Sequence, residues 1–219
     1  MKKSLRRIFA ACLCLIVGVC IYVLFRYQNT SAKRPADRYD VAIAQIHSAV
    51  DKDGDGIDDQ EDILQGALDY VAAEPKYKSK YYPSGYPDDG YGVCTDVVAN
   101  ALKGAGYDLM ELVSEDIGKN PNDYDVEQPD ANIDFRRVNN LKVFFAHTAI
   151  SLTTQVTEIE EWQGGDIVIF QNHIGIVSDR RNENGVPYVI HHNDPMQTFY
   201  EQDILESRSD IVGHYRMTE

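Results

Sequence analysis

Gly164-Gly165-Asp166-Ile167-Val168-Ile169-Phe170-Gln171-Asn172-His173-Ile174-Gly175-Ile176-Val177-Ser178 decides the fold class. Two short, β-branched apolar runs flank a two-residue polar connection, the pattern of a hairpin of buried strands. Asn184-Gly185 is a strong signal for a second reversal, and it sets Val186 to His191 as the next strand. Val212 to Met217 reads as a fourth. Upstream the period changes from two to that of a helix. Glu61 to Ala73 carries Ile63, Leu64, Ala67, Leu68 and Val71 on one face. Thr95 to Lys103 reads as another helix, stopped by Gly104 and Gly106. Leu109, Leu112 and Val113 mark a further short helix, and Asn139 to Ala149 one more. Residues 118 to 134 read as a long loop with Pro121 and Pro129. Helices first and an antiparallel meander afterwards describe an α+β fold.

Upstream of the Thr95 helix lies an aromatic, turn-rich stretch, Tyr77 and Tyr81 to Tyr91, which reads as a loop lining a site. It ends in Gly92-Val93-Cys94-Thr95-Asp96. A cysteine at a helix start faces N–H groups without internal partners, and the helix dipole favours an anion there. Both effects lower a thiol pKa, so Cys94 is the candidate nucleophile. Asp96 suits the first helical turn, a structural role. A nucleophile needs a base, and the base needs an orienting group. His173 opens a central strand and His191 ends its neighbour. His191 and His192 point to opposite faces of a strand, so one of them serves. Asn193, on the side of His191, is the reserve. His47, His147 and His214 read as incidental.

These residues together resemble the NlpC/P60 branch of the papain-like cysteine peptidases. The matching pieces are Cys94 opening a helix, Gly165 to Phe170, His173 to Val177, and Val189-Ile190-His191. The resemblance implies an NlpC/P60-type fold, Cys94 as nucleophile, His173 as base and His191 as orienting group, with no cofactor in catalysis. It also implies Tyr82, twelve residues before Cys94, at the oxyanion site beside the Cys94 N–H. The pattern departs where Asp-Cys-Ser-Gly becomes Val93-Cys94-Thr95-Asp96, and where Arg180 to Pro187 lengthens the interval between the histidines. A closer resemblance, over residues 64 to 217, is to a bacterial domain family of unknown function, number 1287 in its series. Its pieces are Tyr82-Pro83-x-Gly85, Gly92 to Val98, Asp130-x-Asn132-Ile133-Asp134-x-Arg136-Arg137-Val138 and His173 to Asp179. Arg136 and Arg137 suit either a substrate carboxylate or a salt bridge in so acidic a chain.

Asp51-Lys52-Asp53-Gly54-Asp55-Gly56-Ile57-Asp58-Asp59-Gln60-Glu61-Asp62 places acids at positions one, three and five and glycine at six, as in an EF-hand calcium loop. Asp51, Asp53, Asp55, the Ile57 carbonyl, Asp59 and Asp62 are the expected ligands of a structural Ca2+; the other reading is a solvated acidic turn. Position twelve is Asp rather than Glu, and Asp58 stands where an aliphatic residue is usual. The spacing is nearer to the Asp-rich calcium repeats of secreted proteins. Val41, Ile43, Ala44, Ile46 and Val50 fit a short amphipathic helix, with a strand as the alternative for Val41 and Ile43.

Ile8 to Phe25 holds no charged residue and follows Lys2, Lys3, Arg6 and Arg7. At about 1.5 Å per residue it spans roughly 27 Å, enough for a bilayer core. The charge bias puts the N-terminus in the cytoplasm and the remainder outside. An anchored bacterial inner-membrane protein is expected, or a secreted one if the segment is cleaved. The chain then divides into an anchor and linker (1–34), a calcium-loop segment (35–63) and a hydrolase domain (64–219). The net charge of −14, with seven basic and no acidic residues in the first 34 positions, argues against nucleic acid as a partner. Cys12, Cys14 and Cys20 lie in the apolar segment, so Cys94 is alone outside it. The expected function is an extracytoplasmic cysteine amidase or peptidase, and the NlpC/P60 resemblance implies a peptidoglycan stem-peptide amide, or another amide, as its substrate. The alternative is a calcium-stabilised, non-catalytic envelope binding or scaffolding module.

Overall fold

The computed structural model describes residues 2–218. Helix α1 (Lys2–Arg26) contains a 20-residue apolar span, Arg7–Arg26, long enough to cross a membrane, and its described apolar side chains are exposed. The remaining elements are α2 (Asp59–Ala72), β1 (Lys76–Tyr77), β2 (Tyr91–Gly92), α3 (Cys94–Gly104), α4 (Leu109–Lys119), α5 (Ala131–Asp134), α6 (Val138–Thr148), β3 (Ile150–Ser151), β4 (Ile167–Phe170), β5 (His173–Arg181), β6 (Pro187–Ile190), β7 (Glu201–Gln202) and β8 (Ile211–Arg216). Helices on one face of an antiparallel sheet confirm the α+β class.

Six strands form the main sheet in the order β3-β8-β4-β5-β6-β7. Strands β4 to β7 are a meander, but β8 crosses back to pair with the far side of β4. The period-two alternation gives each strand two buried faces. Ile167, Ile169, Ile174, Ile176 and Ile190 pack under the helices, while Val168, Phe170, Val177 and Val189 form a second core with Trp162 and Leu205. Burying each such side chain contributes roughly 1.5–3 kcal/mol. Asp166, just before β4, joins the layers. It accepts from Arg216 through both carboxylate oxygens at 2.8 and 2.9 Å, from Gln60 at 2.8 Å and from the Gln163 N–H at 2.8 Å, and it pairs with His214 at 3.0 Å.

Helix α2 starts at Asp58, whose side chain accepts from the Gln60 and Glu61 N–H groups; Asp59, Glu61 and Asp62 supply the negative first turn. It ends before Glu74, at φ 48°, and Pro75. Helices α2 and α3 touch through their backbones. A Cβ on Gly66 would stand 2.8 Å from the Ala101 carbonyl oxygen, so the crossing needs glycine there. Residues 39 to 50 form no helix, contrary to the periodic reading. Val41 and Ile46 stay exposed, and a helix without an apolar surface to cover lacks its main stabilisation.

The segment after α1 lies on the domain rather than hanging as a free linker. Gln28 brackets Tyr77, donating to its carbonyl at 2.7 Å and accepting from its N–H at 2.6 Å. Ser31 bridges Phe199 in parallel. Arg34 is paired with Glu201 and Asp179.

Candidate functional site

Helix α3 begins on an extended Val93, with no side chain of its own to cap it. Asp96 supplies the cap from inside, accepting from the Val93 N–H at 2.8 Å. Asp96 is held in turn by Arg136, whose Nε and Nη2 donate to it at 2.7 and 2.9 Å; both side chains are buried. Arg136 also donates to the Lys80 carbonyl at 2.7 Å. Arg136 is therefore a fixture of the helix start, in line with the salt-bridge reading: Nε, Nη1 and Nη2 each donate to a protein acceptor. Thr95 donates from its hydroxyl to the Arg136 carbonyl at 3.4 Å and ties the same corner.

Cys94 packs against the helix-side core. The backbone N–H groups of Ile174, Thr95 and Cys94 itself face its sulfur. Ile174 is one peptide bond from His173, so the sulfur lies at the start of β5. Burial outweighs these donors and pushes the thiol up to about 11, and the Asp96 charge adds to the shift. The expected lowering at a helix start is thus reversed, because desolvation of an anion costs more here than the N–H groups return. That shift favours the neutral thiol.

His173 and His191 come together across β5 and β6. The register pairs Ile176 with Ile190, which places Gly175 opposite His191 and puts His173 diagonally on the same face. His173 Nε2 lies 2.9 Å from His191 Nδ1. A Cβ at Gly175 would stand 2.6 Å from Val189 Cγ1, 2.9 Å from the Ile190 carbonyl oxygen and 3.2 Å from His191 Cβ, so glycine permits this close approach of β5 to the end of β6. Burial drives both imidazoles down, His173 to about 4, and neighbouring Arg208 opposes protonation of each. His173 stacks on Phe170 with ring centroids 5.8 Å apart. His191 Nε2 is buried with no partner among the described residues. No hydrogen bond joins Cys94 to His173 among the described residues, and burial favours the neutral form of each.

The other expected site residues separate. Asn193 turns away and donates to Asp194 at 3.1 Å. His192 is fully buried between Tyr77 and Tyr200, with ring centroids at 5.3 and 5.0 Å, and it does not reach His173. Tyr82 is not free at an oxyanion site. Its hydroxyl donates to Asp89 at 2.7 Å, and its ring covers the Arg136 guanidinium at 5.0 Å. The tyrosine near the thiol is Tyr77, which pairs with Gly92 across β1 and β2. Burial raises its phenol, and the Cys94 sulfur raises it further. Tyr77 belongs to the aromatic stretch singled out in the sequence, but only the strand pairing tells it from Tyr82. Arg137 remains half-exposed, 3.8 Å from Asp134. It lines a shallow cavity of about 340 Å³ with Asn172, the residue before His173.

The acidic loop lies at the opposite end of α3. Asp51, Asp53 and Asp55 bring carboxylate oxygens within 4.8 Å of one another. Gly54 and Gly56 adopt φ of +79° and +97°, which glycine alone takes freely. Ile57 keeps its side chain exposed. Asp59 departs from the expected ligand set. It accepts from the Lys52 N–H at 2.8 Å and from the Tyr107 hydroxyl, and is buried by those contacts.

The profile of a family described as "Domain of unknown function (DUF1287)" matches residues 64–217. The chain is 38% identical over 167 residues to an uncharacterised protein, YijF, of Escherichia coli (strain K12), covering 70% of this chain and 80% of that one. No solved structure matches. A profile match over most of the chain, containing Cys94, His173 and His191, places the protein in the DUF1287 family.

Proposed function

We propose that the protein is an extracytoplasmic cysteine amidase or peptidase of NlpC/P60 type, acting on a peptidoglycan stem-peptide amide. The observation that carries the reading is the 2.9 Å contact of His173 Nε2 with His191 Nδ1, at the strand end where the Cys94 sulfur lies. The His173–His191 pair and the Cys94 sulfur both lie at the start of β5, which supports the order nucleophile, base, orienting group.

His173 takes the thiol proton on Nδ1, so its Nε2 carries hydrogen and donates to His191 Nδ1. The sulfur attacks the amide carbonyl carbon. The oxyanion faces the Cys94 and Thr95 N–H groups, with the Tyr77 hydroxyl as the side-chain donor. Collapse breaks the C–N bond, and the His173 imidazolium returns its proton to the leaving amine. Water, deprotonated by His173, then releases the acid and restores the thiol. The pair is assembled neutral, and a substrate that tightens the thiol–imidazole contact starts the reaction. Arg137, beside the cavity at Asn172, is placed for a substrate carboxylate. Helix α1 anchors the enzyme in the inner membrane with the domain outside; cleavage of α1 makes the same domain a secreted one.

A second reading is a non-catalytic envelope binding module, favoured by the burial that pushes the Cys94 thiol up to about 11. Digestion of purified sacculi by the full chain in detergent, read by mass spectrometry, separates the two. New muropeptides made by the native chain and absent with Cys94→Ala support the hydrolase and name the bond. Sacculi bound but unaltered support the module.

A further inference from the structure

Asp62 is buried in the first turn of α2, yet its Oδ2 has no hydrogen-bond partner among the described residues. A carboxylate in that state costs stability unless something neutralises it. Its surroundings are anionic, with Asp55, Asp53, Asp51 and Asp59 as its charged neighbours. Asp62 and the loop stand over the same end of α3, where a Cβ on Gly104 would lie 3.5 Å from the Asp62 carbonyl oxygen and one on Gly106 3.1 Å from Asp53 Cβ, and the loop's Asp51, Asp53 and Asp55 oxygens already converge within 4.8 Å. Hydrogen bonds within the loop occupy both oxygens of Asp51, from the Gly54 and Gly56 N–H groups, but among the described residues only Oδ1 of Asp53 and of Asp55, from the Asp55 and Ile57 N–H groups.

We infer that Asp51, Asp53, Asp55 and Asp62, with the Ile57 carbonyl, bind one calcium ion that clamps α2 against α3. Oxygen-only ligands in a flexible loop suit calcium over the smaller, strictly octahedral magnesium. Asp59 stays out of the set, because Lys52 and Tyr107 hold it. The clamp follows from where the loop sits. A Cβ on Gly106, just past the end of α3, would stand 3.1 Å from Asp53 Cβ. Asp62 lies one turn before Gly66, where the two helices touch. A cation that joins Asp53 to Asp62 thus links the C-terminal end of α3 to the start of α2, and the other end of α3 carries Cys94. The inference stands apart from the hydrolase reading, since no step of it uses the thiol.

The test is calcium titration of the chelator-treated full chain in detergent, by calorimetry, with thermal melts and amide exchange alongside. One site per chain, a rise in Tm of several degrees at millimolar calcium and slower exchange over residues 94–104 are expected. Asp62→Asn should weaken binding at least about tenfold. Relieved of its buried charge, that variant should melt without calcium at or above the temperature of the native chain. A destabilised Asp62→Asn chain would be set against Asp55→Asn, which lies in the exposed loop and should also lose the calcium-dependent rise. Absence of binding at millimolar calcium, equal binding by Asp62→Asn, or an equal rise with magnesium would overturn the inference. Repeating the titration in Cys94→Ala, with unchanged binding expected, keeps the result independent of catalysis.

Discussion

The two ends of α3 are built on opposite principles. At its N-terminus, the partly buried Cys94 lies at the start of the strand that carries buried His173, which meets buried His191, and desolvation opposes charge on all three. Beyond its C-terminus, consecutive residues hold several like charges at the surface, with one carboxylate, Asp62, drawn inside. Burial raises an acid and lowers a base, so it silences the first set. Crowding of charge leaves the second set in need of a counter-ion. The first end is organised by tertiary contacts and the second by local spacing, and they should fail under different perturbations.

Removing the sulfur breaks the first end outright. Cys94→Ala should cut turnover on sacculi by at least about 10³-fold without lowering Tm, as expected for a group acting only in the reaction. The ion pair behind it should show up in stability instead. Arg136→Ala leaves Asp96 buried and uncompensated and should cost about 3–5 kcal/mol in denaturant unfolding, with the α3 start loosened. His191→Ala should lower kcat by about 10²-fold while leaving KM little changed, because it orients the base. Gly175→Ala should do the same by forcing Val189, the Ile190 carbonyl and with them His191 away from β5, and a fully active Gly175→Ala chain would break the claim that this close strand approach positions the pair.

Acid and base titrations sharpen the comparison further. His173 and His192 are held down to about 4 from an ordinary 6.5. Between those values the unfolded chain binds protons that the folded chain refuses, so stability should fall as pH drops from about 6.5 to about 4. Asp62 works the other way. Raised from 3.8 to about 6, it binds its proton more tightly when folded, so its cost is absent in acid and fully present above about pH 6. Calcium should therefore raise Tm most above pH 6 and least below it. Thiol labelling should be slow at neutral pH and accelerate as pH rises toward 11. A rate already at its plateau at pH 6 would reveal a resting thiolate–imidazolium pair and sink the neutral-pair account.

Much of this architecture is legible along the chain. The strands around His173 and His191 announce themselves by apolar runs and the Gln171-Asn172 and Asn184-Gly185 reversals. Helices α2, α3 and α6 announce themselves by their apolar faces, within one or two residues of their ends. The acids of the loop are legible because their ligand spacing is local. Less visible are β3 and β7, two residues each, and the return of β8 to the outer side of β4, because strand order is set by long-range pairing. The Val41 to Val50 periodicity misleads because no partner surface covers it.

Local chemistry was enough to name Cys94, His173 and His191, the acidic loop, the apolar N-terminal span and the α+β class, since each depends on residue type and short spacing. Only the tertiary structure decided that His191 rather than His192 or Asn193 meets His173, that Arg136 holds Asp96, that Tyr77 rather than Tyr82 neighbours the thiol, and that Asp59 is spoken for while Asp62 is not. Those outcomes turn on which groups share a buried volume. In such a volume the cost of desolvation, which no spacing along the chain reveals, governs which of them carry charge.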